Sequence, residues 1–97
     1  MEIRENKRVL IVAPLSQKLT NRETKRIFEK LTKESRQVAI DLSYVSDCSI
    51  EFIESLKKIA SEKMLAVFNI PSDIFVLFNM MNLDKTVNLF VSELDFE

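Results

Sequence analysis

The 97-residue sequence predicts an α/β fold, one mixed and mostly parallel β-sheet with helices packed chiefly on one face. Three observations predict it. Short runs rich in β-branched residues alternate with longer amphipathic runs, the sign of strands joined by helical crossovers. The first two apolar runs are separated by four polar residues only, too few for a crossover, so the sheet opens with an antiparallel pair. No repeat, low-complexity stretch or linker divides the chain, and residues 1–97 are expected to form a single domain. The expected order is β-β-α-β-α-β-α-β with right-handed crossovers.

Ile3 and then Val9 to Val12 supply the opening hairpin, with Glu5-Asn6-Lys7-Arg8 at its turn, where asparagine serves turn geometry in a chain without glycine. Thr20 followed three residues later by Glu23 is a capping box: the hydroxyl accepts from a free amide of the first turn and the carboxylate reaches back. The helix that follows sets Ile27, Phe28 and Leu31 on one face, against Lys25, Arg26, Glu29, Lys30 and Lys33 on the other. Gln37 to Leu42 reads as a central strand. Phe52, Ile53, Leu56, Ile59 and Ala60 form one broad face of a second helix, capped by Asp47 or Ser49. Met64 to Phe68 is a buried strand, and Asn69 to Ser72 a turn containing Pro71. Asp73 to Met81 forms a third helix, ended by Asn82, since asparagine is the usual substitute for glycine in the left-handed cap conformation. Val87 to Val91 supplies the last strand.

Composition excludes several function classes. Without glycine, dinucleotide fingerprints, P-loops, EF-hand loops and nucleophile elbows cannot occur in standard form. With no histidine and only Cys48, histidine-dependent triads, the usual zinc ligand sets and an intrachain disulfide are excluded. No cofactor and no metal is therefore expected, and a reduced, cytoplasmic setting is the default. Met1 to Arg8 lacks the apolar core of a secretory signal. Met64 to Met81 is interrupted by Asn69, Pro71, Ser72, Asp73 and Asn79, so direct membrane insertion is not expected. The net charge of -1 leaves no basic footprint for nucleic acid. Residues 1–36 nevertheless hold ten Lys or Arg against five acids, and residues 37–97 four against ten. Separate solvated faces account for such asymmetry, and so does guidance of a charged partner.

Ile40-Asp41-Leu42-Ser43-Tyr44-Val45 resembles a phrase of the STAS domain family, the fold of bacterial anti-sigma factor antagonists. There a strand ending in D-L-S-x-V leads into a loop and helix of the form I-D-S-S-G-L or I-S-S-A-G-L, and the ungapped match is Cys48-Ser49-Ile50-Glu51-Phe52-Ile53. Phe68-Asn69-Ile70-Pro71-Ser72 is similar to the family's strand and turn before the third helix. Met81-Asn82-Leu83-Asp84-Lys85 resembles its T-G-L-D-R/K, and Leu89-Phe90-Val91-Ser92-Glu93 fits the strand and tail that follow. Order and spacing carry the resemblance over nearly the whole chain. The family's terminal helix would follow Ser92, and with Glu93 to Glu97 remaining it is expected to be short or missing.

The resemblance implies a non-enzymatic regulatory protein that docks on an anti-sigma factor which is also a serine kinase. In the family, the second serine of D-S-S-G is phosphorylated by that partner; the unphosphorylated form binds it and frees the sigma factor. The implied docking surface is Ser46, Asp47, Cys48, Ser49, Glu51 and Phe52, and the ungapped register puts Glu51 at the phosphosite. Glutamate has no hydroxyl to phosphorylate. As a first-turn carboxylate it is favourable by about 0.3–1 kcal/mol. As a permanent charge it would imitate in part a phosphate of about -1.5 to -2. A second register takes Asp47-Cys48-Ser49 as D-S-S and makes Ser49 the phosphoacceptor, at the cost of shifting Glu51 to the position of a buried leucine. The ungapped register is preferred, with Ser49 as helix cap.

Cys48 reads as a small loop or core residue, because Asp47 and Glu51 should raise its pKa. Asp47, Glu51 and Glu54 have no nucleophile or metal to work with, and no enzymatic activity is expected. Phe52 stands where the family has a small glycine, and Phe75 and Val76 where its third helix often has polar residues. With Ile74, Leu77 and Phe78 the third helix is apolar almost all round, which means either a repacked core or an exposed patch for a partner or a second copy. Two alternatives to the antagonist reading therefore stand: an accessory subunit of a lipid-transport ATPase complex, where STAS domains without a phosphosite occur, and a homodimer-forming module associating through Phe75 and Val76.

Overall fold

The structure, a computed structural model, describes residues 1–96. Its strands are β1 (Glu2–Glu5), β2 (Val9–Ala13), β3 (Gln37–Asp41), β4 (Leu65–Phe68) and β5 (Asn88–Leu89). Its α-helices are α1 (Asn21–Lys33), α2 (Ile50–Glu62), α3 (Ser72–Met80) and α4 (Glu93–Phe96), with one 3₁₀ turn at Leu83–Lys85. The sheet order is β1-β2-β3-β4-β5. β1 and β2 pair antiparallel, with Ile3 opposite Val12, and the remaining neighbours pair parallel, with Val12 opposite Ile40 and Ile40 opposite Val67. This is the mixed, mostly parallel sheet that the strand and helix pattern predicts.

The hairpin turn closes through a side chain. Asn6 Oδ1 accepts from the amides of Arg8 (2.7 Å) and Val9 (3.0 Å), doing by hydrogen bonding what glycine commonly does by backbone freedom. At α1 both halves of the capping box form: Glu23 N donates to Thr20 Oγ1 at 3.1 Å, and Thr20 N to Glu23 Oε1 at 3.5 Å. Asn82 follows α3 with φ 59°, the left-handed conformation expected of it. The last strand is shorter than the sequence suggests. Val87 is drawn into the core by the preceding turn, its amide donating to Leu83 O at 2.9 Å, so ladder pairing is confined to Asn88 and Leu89.

Alternation along the strands divides the core in two. Leu10, Val12, Val38, Ile40, Leu65 and Val67 face the helices and pack with Ile27, Leu31, Phe52, Ile53, Leu56 and Phe78. Phe28 of α1 and Phe52 of α2 meet edge to face, ring centroids 5.5 Å apart. The opposite face carries Val9, Ile11, Ala39, Ala66 and Phe68, with Phe90 packed against them. Both faces of the central strands are thus buried, which is why those strands read as continuous apolar runs. The C-terminal segment is fastened on this second face: Arg4 Nη1 donates to both carboxylate oxygens of Glu93 at 3.0 Å, and Glu93 N donates to Asn69 Oδ1 at 3.1 Å. A short terminal helix, α4, is present as expected.

Candidate functional site

The site lies where the chain leaves β2 and β3. Two backbone amides, Ser46 N (2.7 Å) and Asp47 N (3.1 Å), donate to the same carbonyl, Gln17 O, and Ser46 Oγ donates to it as well at 3.2 Å. Lys18 and Asp47 form an isolated parallel bridge. The loop after β3 is therefore fastened to the loop after β2, and buried Leu42 and Val45 anchor its start in the core. At its other end Ser49 Oγ accepts from Phe52 N at 3.2 Å and caps α2, so of the two candidate caps Ser49 serves.

The expected docking residues separate by exposure. Ser46, Asp47 and Glu51 face solvent, and Cys48 and Ser49 are half-buried. Burial, and after it the neighbouring Asp47 carboxylate, pushes the Cys48 thiol up to about 11, so it is protonated at neutral pH. Phe52 is a correction: expected on the surface, it is fully buried. Its ring fills the space between α1 and α2 against Phe28 and is not available to a partner. Glu51 is exposed and Ile53 fully buried.

Sequence reading missed two features here. Leu15, Tyr44 and Ile50 are each more than half exposed, on the two fastened loops and at the first residue of α2. Large apolar side chains in otherwise polar loop segments were the available signal. The second feature is a polar network around Asp41, a buried carboxylate at the end of β3. Asp41 Oδ1 accepts from Ser43 N (2.9 Å), Ser43 Oγ and Asn69 Nδ2 (3.1 Å), and Oδ2 accepts from Arg4 Nη2 (2.8 Å). Asn69 reaches it from a residue with φ 55°, a conformation that asparagine tolerates better than most residues. The network fixes the exit of β3 and joins it, through Arg4 and Asn69, to Glu93 of the C-terminal segment.

The third helix resolves into three classes of side chain. Ile74 and Phe78 are core, Phe75 and Leu77 are half-buried against that core, and Val76 and Met80 are more than half exposed. Phe75 thus packs in part against the core, while Val76 stays on the surface. No described helix is long and apolar enough to cross a membrane.

No family model and no curated protein matches the chain. Solved structures do. A crystal structure of a candidate anti-sigma factor antagonist from Thermotoga maritima is similar with a TM-score of 0.77 at 18% identity, covering 94% of this chain and 86% of that one. The NMR structure of the same Thermotoga protein gives a TM-score of 0.75 at 16% identity, covering 96% and 82%. At such identities the likeness is one of backbone architecture, and with the five-strand order and the loop-to-α2 geometry it shows that this chain has the fold of the STAS domains.

Proposed function

We propose that this chain is a non-enzymatic cytoplasmic binding protein of the anti-sigma factor antagonist kind, which docks on an anti-sigma serine kinase and thereby releases the sigma factor. The observation that carries this reading is the solvent-facing first turn of α2. In the ungapped register its Glu51 carboxylate falls at the family's phosphorylatable serine, just after a loop held by the Gln17 carbonyl and the Ser49 cap. Ser46, Asp47 and Glu51 are the exposed contacts, joined by Tyr44 and Ile50 as apolar anchors. With a constant charge at position 51, control passes to abundance or to another hydroxyl, of which Ser46 is exposed on the same loop.

Affinity capture from lysate of the source cell tests this, comparing wild type with Glu51→Lys and identifying retained proteins by mass spectrometry. Recovery of a serine-kinase anti-sigma factor, weakened about tenfold or more in the variant, is the expected result, equivalent to a loss of about 1.4 kcal/mol. Thermal stability should change little, because Glu51 is exposed. Unchanged capture by the variant would remove the site assignment. The exposed Val76 and Met80 on α3 favour a second reading, the accessory subunit of a transport ATPase, and recovery of such an ATPase would replace the first.

A further inference from the structure

Two rows of charge run along α1, each with members four residues apart and therefore on one stripe of the helix. Lys25, Glu29 and Lys33 alternate in sign and border an open groove of about 500 Å³ between α1 and α2, which Lys58 and Glu62 line from the α2 side. Arg22, Arg26 and Lys30 carry one sign throughout. All three are exposed, and among the described residues none enters an ion pair. Neighbouring acids are engaged elsewhere: Glu23 accepts from Ser16 and Thr20, and Glu2 and Glu5 of β1 lie against Arg4 and Arg36. Like charges at this spacing destabilise a helix. Lys30, in the last turn, suits the negative end of the helix dipole. Arg22 stands in the first turn, at the positive end, and Arg26 between them gains nothing from the dipole. The uniform row is thus a cost to folding that the alternating row beside it avoids.

The uniform row faces the edge of the sheet. Arg26 lines a small cleft of about 130 Å³ together with Met1, Pro14, Glu23 and Ile27. β1 is an outer strand, and Met1 and Ile3 are exposed apolar side chains there, Ile3 on the helix-facing side opposite Val12. Four residues of helix rise about 6 Å, so the three cations stand about 6 Å apart over about 12 Å. Carboxylates four residues apart on another helix repeat at the same distance. We propose that the Arg22, Arg26 and Lys30 row docks an acidic amphipathic helix of a partner protein, its carboxylates matched one to one with the three cations and its apolar side resting on Met1 and Ile3. A lipid surface or a nucleic acid extends far beyond a 12 Å row, and a chain of net charge -1 gains no attraction to so extended an anion outside it. The row lies on a different helix from Glu51, so the contact is independent of the docking surface proposed above. It is small and rests on exposed charge, which makes it weak and salt-sensitive.

Fluorescence anisotropy with the purified chain tests the proposal. The probe is a labelled alanine-based helical peptide with glutamate at every fourth position and leucine after each glutamate. A scrambled peptide of the same composition, phosphatidylserine vesicles and single-stranded DNA are the comparisons. Wild type should bind the patterned peptide, more weakly by about tenfold or more at about 1 M than at about 0.1 M salt, as the screening length falls from about 10 Å to about 3 Å. Arg26→Glu/Lys30→Glu should lose about tenfold or more, and a peptide with two central glutamates changed to lysine should restore its binding. Lys57→Glu/Lys58→Glu, on α2, should bind as wild type does. Arg22→Gln/Lys30→Gln, which leaves Arg26 in place, should also bind more weakly and serves should the first variant misfold. Arg26→Glu alone should melt no lower than wild type, because it turns two like-charge contacts four residues apart into opposite-charge ones. Equal binding of the scrambled peptide, tighter binding of vesicles or DNA, unchanged binding by the α1 variants, or a marked fall in melting temperature for Arg26→Glu would each overturn the proposal.

Discussion

Ser49 shows how much depends on one side chain at this site. Its hydroxyl accepts the Phe52 amide and fixes the start of α2, so Ser49→Ala should cost about 1 kcal/mol of stability, seen as a lower midpoint in denaturant. Aspartate is an equally good cap, so Ser49→Asp should keep that stability; partner binding in the two variants then separates capping from a role of the hydroxyl itself. A parallel case is Lys63, whose ammonium donates to Leu31 O at 2.8 Å and to Glu34 O, closing the carboxyl end of α1 from the next crossover. Lys63→Met retains the aliphatic stem and loses these bonds, an expected cost of about 1–2 kcal/mol by thermal or chemical unfolding. Cys48 is chemically quiet by the same local logic. With its thiol raised to about 11, alkylation by iodoacetamide near neutral pH should be far slower than for a free cysteine and should accelerate steeply at alkaline pH. Rapid modification at neutral pH would contradict the burial on which that shift rests.

Among elements, the C-terminal segment is the least expected contributor. Capping, amphipathic spacing and turn residues made α1, α2 and the Asn82 stop legible, because those are local signals with a fixed offset. The role of Phe90 and Glu93 was not legible. It depends on Arg4, 89 residues from Glu93 in sequence, and on Asn69, neither of which announces a partner. The burial of Phe52 was legible in the apolar face it shares with Ile53, Leu56 and Ile59, a signal that the motif match, which put it on the docking surface, leaves out of account; what the sequence did not announce is its edge-to-face partner Phe28 on another element. Arg4 holds both Glu93 and Asp41, so Arg4→Met should loosen the segment and leave buried Asp41 short of one charged donor. Hydrogen exchange should rise first at the amides of Phe90 and Glu93, with β3 and β4 still protected; uniform loss of protection would instead mean that the segment is integral to global stability.

At the scale of the whole molecule, the fold was readable because short apolar, β-branched runs alternate with longer helical ones, of which α1 and α2 are clearly amphipathic. The candidate site was readable only in outline, because side-chain exposure at Leu15, Tyr44 and Ile50 depends on how two loops meet at the Gln17 carbonyl. Global stability should carry a corresponding signature in acid. The Arg36 guanidinium, bound to Glu34 at 2.6 Å, holds the Glu34 carboxyl down to about 2, and the Ser16 hydroxyl leads the causes that lower Glu23. In the unfolded chain both return to about 4.5, so between these limits the unfolded state binds more protons than the folded one. Their contribution is thus complete above the unfolded value and is lost as pH falls through the folded values, which for Glu34 means from about 4.5 towards about 2. Glu34→Gln should accordingly lower the melting temperature most near neutral pH, and the gap from wild type should close as pH falls through that window. A gap that stayed constant with pH would assign the effect of Glu34 to packing rather than to its charge.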